Sequence, residues 1–255
     1  MSSEYRHGQF VWREMMCPPA EVEKAKAFYG ELLGWSFGEM NMMPGMTYTL
    51  CQVGGRPIGG IFPSPPEMGP PAWMSYVSVS DVDEVVGASA ARGGNTVMKP
   101  DTVAGIGRFA VINDPTGGFL GVMHGESGDG PAPGMPAVGE FCWETLGTTD
   151  VDKARAFYTE VIGWNQGAGP DAGMVVFAAG ATQVADIEKV EPGMPSHWLC
   201  HVVAGPLEPA REKAAKLGAT ILVPVIDIPH VGRICIIKDP AGAVISLFEP
   251  AAPAA

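Results

Sequence analysis

Few side chains in this chain have both the type and the spacing to do chemistry. The five cysteines are Cys17, Cys51, Cys142, Cys200 and Cys235. They form no CxxC pair and stand mostly in apolar, strand-like runs, so they read as buried thiols, not as a zinc ribbon or a redox couple. Of the five histidines, His7 and His230 fall in loop-like sequence and read as solvated. No P-loop, HExxH or GxSxG is present, and Gly105-Ile106-Gly107 breaks the dinucleotide pattern and precedes a strand. Asp114-Pro115-Thr116-Gly117 and Asp239-Pro240-Ala241-Gly242 place Asp, Pro and Gly at the first, second and fourth positions of a type I turn. That chemistry joins two strands and needs no substrate.

The elements that must position any site repeat themselves. GQFVWREM and AFYGELLGW in the first half answer GEFCWETL and AFYTEVIGW in the second. Trp73 and Trp198, Arg108 and Arg233, and Asp114 and Asp239 are each 125 residues apart. A period this long means two copies of a domain. Domains are expected over 8–124 and 139–250, joined by a Gly/Pro-rich linker over 125–138. Each half divides again. Apolar residues at three-and-four spacing predict a helix over 21–33, and Ser80 or Asp81 caps one over 82–92. Asp150 and Pro206 open the matching helices of the second half, and short strands fill the rest. The unit is β-α-β-β-β, four times over, in an α+β chain.

Four such units, AFYxxxxGW closing the first helix of each half, and DPxG before each last strand together resemble the glyoxalase/bleomycin resistance/dioxygenase superfamily, the vicinal oxygen chelate fold. The resemblance covers about residues 8–250. It implies curled mixed sheets that enclose cups, with three or four His, Gln or Glu ligands in the metal-dependent members. By the family's pattern the ligand positions fall on Trp12, Met74 and Gly121, and on Trp143, Leu199 and Ser246. These side chains are a poor match for a divalent cation, which wants oxygen or imidazole donors. No metal or other cofactor is therefore expected. Glu249 and His124 lie three residues past the ligand positions, and an odd step on a regular strand puts them on the outer face.

The same alternation, with the register that the resemblance supplies, turns Trp12, Glu14, Met74, Tyr76, Ser78, Gly121 and Met123 into one cup. It turns Trp143, Thr145, His197, Leu199, His201, Ser246 and Phe248 into the other. The lining is apolar and aromatic with few ionisable groups, as in small-molecule sites generally. Gly121 and Ser246, both small, suggest open floors. Glu14 is the candidate general base and His201 the candidate proton shuttle. If units pair within each half, the two residues occupy separate cups; if they exchange, the two share one. Pairing within each half is the expectation.

The formal net charge of −12 makes nucleic acid and anionic membranes unlikely partners. No apolar run reaches the roughly 18 residues of a membrane span, and the first ten residues lack a signal-peptide core. A cytoplasmic protein, monomeric as a pseudo-dimer or homodimeric, is expected. The sequence favours a metal-independent binder of a small apolar or aromatic molecule. The alternatives are a glyoxalase-like lyase or isomerase that uses Glu14 or His201, and a metal enzyme with relocated ligands.

Overall fold

A computed structural model describes residues 4–43, 46–130, 134–169 and 174–252. The first module is β1 (Phe10–Cys17), α1 (Val22–Leu33), β2 (Ser36–Met43), β3 (Met46–Val53) and β4 (Arg56–Pro63). The second is β5 (Ala72–Ser78), α2 (Val82–Ala91), β6 (Asn95–Val103), β7 (Gly107–Asn113) and β8 (Phe119–Gly125). The third is β9 (Phe141–Thr148), α3 (Val151–Val161), β10 (Asn165–Ala168), β11 (Val175–Ala179) and β12 (Thr182–Lys189). The fourth is β13 (His197–Val203), α4 (Leu207–Lys216), β14 (Thr220–Ile228), β15 (Gly232–Lys238) and β16 (Val244–Pro250). Asp81 and Asp150 cap α2 and α3 by accepting from the N–H groups of Glu84 and Lys153. That satisfies amides the first helical turn leaves without partners.

The strands form two eight-stranded mixed sheets, ordered β2-β3-β4-β1-β5-β8-β7-β6 and β10-β11-β12-β9-β13-β16-β15-β14. Each sheet therefore draws its strands from one repeat. The compact units divide differently. One comprises residues 1–12, 74–134 and 144–198, and the other residues 13–73, 135–143 and 199–255. Their cores join module two to module three and module one to module four, while the strands themselves pair within each half, as expected.

Each unit has its own apolar core. In the first, Val77, Val79, Ile112 and Leu120 pack with Phe157, Tyr158, Trp164 and Phe177. In the second, Met15, Phe28, Tyr29 and Trp35 pack with Val202, Leu207, Ile245 and Leu247. A buried polar chain runs through both. Trp73 Nε1 donates to Tyr29 Oη at 3.0 Å, and Tyr29 donates on to Asp239 Oδ2 at 2.6 Å. Asp239 Oδ1 accepts the amides of Gly242 and Ala243, so one carboxylate closes its own turn and holds a helix from the far module. Trp198, Tyr158 and Asp114 repeat the arrangement at 3.0 and 2.9 Å. The motif tryptophans finish it: Trp35 Nε1 donates to Gly139 O and Trp164 Nε1 to Gly8 O.

Burial raises the carboxyl pKa of Asp239, against the pull of its hydrogen bonds. Replacing Tyr29 or Tyr158 by Phe removes one hydroxyl and strands a carboxylate oxygen and an indole N–H in the core. Each substitution should cost about 1–3 kcal/mol. Urea denaturation of the two variants checks this; an unchanged midpoint would make the chain of bonds incidental.

Candidate functional site

Strand alternation assigns the faces. In β5, Trp73 and Val77 are core residues, as is Val79 just after it, so Met74, Tyr76 and Ser78 leave by the opposite face. In β8, Leu120 and Val122 enter the core, which sends Gly121 and Met123 the other way. Tyr76 and Gly121 are register partners, as are Ser78 and Met123. In β13 and β16, Cys200, Val202, Ile245 and Leu247 are core residues, and Leu199, His201, Ser246 and Phe248 take the opposite face. His201 pairs with Ser246.

β1 and β9 each serve both cores: Phe10 and Leu146 belong to one, Met15 and Phe141 to the other, and an odd step of five residues on a regular strand turns the two side chains to opposite faces. Both tryptophans are half-buried.

Gly121 does not leave an open floor. A β-carbon there would stand 2.3 Å from the Tyr76 ring, which lies flat over the glycine. Gly60, the register partner of Glu14, is covered in the same way by Tyr48. The missing side chains make room for aromatic rings of the protein itself. Gly121→Ala should therefore force the Tyr76 ring aside and cost about 1–3 kcal/mol, as overpacking does, read as a lower melting midpoint. Ser246→Ala should be neutral or slightly stabilising.

The reason for the second expectation is that Ser246 Oγ is fully buried with no hydrogen-bond partner among the described residues, and Ser78 Oγ is the same. Ser246 is thus not bonded to the imidazole of its register neighbour. An activated Ser–His pair needs that bond, so the two do not form a nucleophile and base.

His201 is buried, and desolvation alone pushes its pKa down to about 4. The imidazole is neutral at pH 7. A neighbouring carboxylate would have raised the value, which is the opposite direction. Glu14 and His201 do belong to the same compact unit. However, Met15 and Cys17 from β1 and Cys200 and Val202 from β13 all enter the shared core. Glu14 and His201 leave from the faces turned away from it, so exchange of modules does not join them as an acid–base pair. The His201 shift has a consequence for stability. The unfolded chain takes up this proton near pH 6.5 and the folded chain only near pH 4. Between those values the unfolded state binds more protons, so stability falls as pH is lowered through the window. The slope is at most about 1.4 kcal/mol per pH unit. His201→Gln should flatten that part of a stability–pH curve measured in urea.

The other residues singled out in the sequence have structural roles. His7 is exposed in a turn, as expected, and both ring nitrogens are bonded: Nδ1 accepts from Ser80 N at 3.1 Å, which leaves Nε2 to donate to Ile162 O at 2.9 Å. Glu249 accepts from Leu207 N at the start of α4 and from Arg233, contacts that lower its carboxyl pKa. His124 bonds Val79 O through Nδ1. All five cysteines are free, and four of them are buried. Sequence reasoning missed Asp186, which accepts from Thr145 Oγ1 at 2.7 Å, and its neighbour Glu188. In β12, Ala185 and Ile187 enter the core and the two acids take the other face. Two acids spaced by two in an apolar strand were the available signal. His197, half-buried at the start of β13, bonds Pro195 O through Nδ1 at 3.0 Å.

The comparisons with known proteins agree with this architecture. The family model of the glyoxalase/bleomycin resistance protein/dioxygenase superfamily matches residues 15–120. A Mycobacterium tuberculosis protein named "Putative glyoxylase CFP32" is 33% identical over 258 residues, covering 98% of this chain and 97% of its own. The chain belongs to this superfamily. The anthracycline biosynthesis protein DnrV of Streptomyces peucetius is 26% identical, covering 97% of this chain and 95% of its own. Among solved structures, the Mn(II)-bound glyoxalase from Novosphingobium aromaticivorans has a TM-score of 0.64 at 16% identity, over 96% of this chain and 83% of that one. The 2,3-dioxygenase LapB from Pseudomonas sp. KL28 has 0.63 at 13% identity, over 97% of this chain and 96% of that one. At these identities the structures speak for the fold alone. Among the described residues, no three of His, Cys, Asp and Glu gather as a metal site, and no helix is long and apolar enough to cross a membrane.

Proposed function

We propose that this protein binds a small apolar or aromatic molecule on the sheet faces turned away from its two cores, without a divalent cation. The observation that carries the reading is the composition of those faces. Met74, Tyr76, Met123, Leu199 and Phe248 supply apolar and aromatic surface, and Ser78, Thr145 and Ser246 supply hydroxyls, that of Thr145 already bonded to Asp186. Small-molecule sites combine these ingredients. Buried hydroxyls at Ser78 and Ser246 that lack partners are groups a ligand can satisfy.

The donor set does not fit the metal that the fold family implies. The six inferred ligand positions offer one hydroxyl, at Ser246, and no imidazole or carboxylate. Divalent ions of this chemistry need several such donors at once. The name of the DnrV relative, an anthracycline biosynthesis protein, supports an aromatic compound as the ligand class.

The test has two parts. Protein purified without chelator should contain far less than one equivalent of Mn, Fe, Ni or Zn. A thermal-shift screen of aromatic metabolites should then return a ligand recovered unchanged, whose binding alters tryptophan emission. Stoichiometric metal whose removal abolishes binding would overturn the reading. Conversion of the ligand would replace it with a lyase or isomerase that works through this chain's own acids and bases.

A further inference from the structure

The two halves differ at one matched place. In the first half the Tyr5 ring stacks on His124, with centroids 4.2 Å apart and planes 13° from parallel, and its hydroxyl donates to Gly125 O at 3.0 Å. Beside it, Glu126 Oε2 accepts the backbone N–H of Gly105 at 2.6 Å, at the tip of the β6–β7 hairpin. A phenol ring and a carboxylate thus fill the space between the end of β8 and that hairpin.

The 125-residue offset carries His124, Gly125, Glu126, Gly105 and Arg108 onto Glu249, Pro250, Ala251, His230 and Arg233. Tyr5, which precedes β1, corresponds through the tryptophans Trp12 and Trp143 to Pro136. Both filling side chains are therefore absent from the second half: alanine stands for the glutamate and proline for the tyrosine. A depression of about 340 Å³ lies there, lined among others by Asp227, His230, Arg233, Glu249 and Ala251. It falls within the range of small-molecule sites.

The walls keep the form of the filled copy. Gly105 has φ of 78°, and His230 keeps the same left-handed backbone at φ 63°. A non-glycine residue holds that conformation only against steric strain. It preserves the direction in which the hairpin-tip N–H points. Where His124 offered its ring to Tyr5, Arg233 and Glu249 offer a guanidinium–carboxylate pair, 2.6 Å apart. Guanidinium planes stack on aromatic rings as imidazole does. The charge of Glu249 is already engaged by Arg233 and by Leu207 N, and Asp227 is the remaining acid of the lining.

We propose that this depression is a ligand site for a small aromatic carboxylate, the ring over the Arg233–Glu249 pair and the carboxylate at the backbone N–H of His230. One molecule would then supply what Tyr5 and Glu126 supply in the first half. The site is separate from the sheet faces of the preceding section.

The test titrates the full chain with 4-hydroxybenzoate, followed by calorimetry and by backbone amide shifts. Saturable binding with shifts at His230 and Ala251 is expected. 4-Hydroxybenzyl alcohol, which lacks the carboxylate, should bind at least about tenfold more weakly. Ala251→Glu restores the side chain of the first half and should abolish binding while leaving the melting midpoint unchanged. Tyr5→Ala combined with Glu126→Ala should open the equivalent space and raise the stoichiometry towards two. No saturable binding, equal binding of the alcohol, or full binding by a folded Ala251→Glu variant would each overturn the proposal. Ligands of the sheet faces should be indifferent to Ala251→Glu, which separates a failure here from a failure there.

Discussion

The bond from Tyr29 to Asp239 decides how this chain folds up. A buried carboxylate must have partners, because desolvation of an unpaired one costs several kcal/mol. Asp239 takes two from its own turn, at Gly242 and Ala243, and the third from a helix of another module. The helix cannot withdraw without stranding the acid, and Trp73 gives the tyrosine its own donor. The aromatic residues around it follow: Tyr29 stacks on Trp35 at 4.8 Å and meets Trp73 edge-on at 5.6 Å. The Asp114–Tyr158–Trp198 copy holds the other unit by the same means.

This constraint explains the division of labour between motifs. AFYxxxxGW and DPxG look like separate local devices, one ending a helix and the other turning a chain. In the structure they are two halves of one device: the tyrosine of one motif is the third ligand of the aspartate of the other. The Trp of the motif closes the same seam through Gly139 or Gly8. Both motifs meet in the cores, and together they fix which strands can present a face away from the core.

The architecture was legible because its signals are local. Helical spacing in 22–33, Asp caps at 81 and 150, and a constant offset between landmarks are read along the chain without knowing what packs on what. The packing of the first module's helix on the fourth module was not legible, since Tyr29 and Asp239 are 210 residues apart and periodicity carries no address. Most facing assignments on β5, β8, β13 and β16 needed only a regular strand. Gly121 misled because a missing side chain means space only if no neighbour takes it, and Tyr76 does. His201 was seen as a residue but not as a neutral one, because its pKa follows from burial that no sequence window reports.

The interleaved units also set an order of events for a chain that emerges from one end. Modules two and three are contiguous in sequence, so their unit can close once residues up to about the start of β13 have been made. Module one can join module two in their common sheet, but its core face has no cover until the last strands, β15 and β16, exist. Its apolar face, with Phe28, Tyr29 and Trp35, must wait through most of synthesis. Contacts of such long sequence separation form slowly, and exposed apolar surface in the interval invites aggregation. A chain cut before Asp239 would hold a complete middle and a first module with its apolar face uncovered.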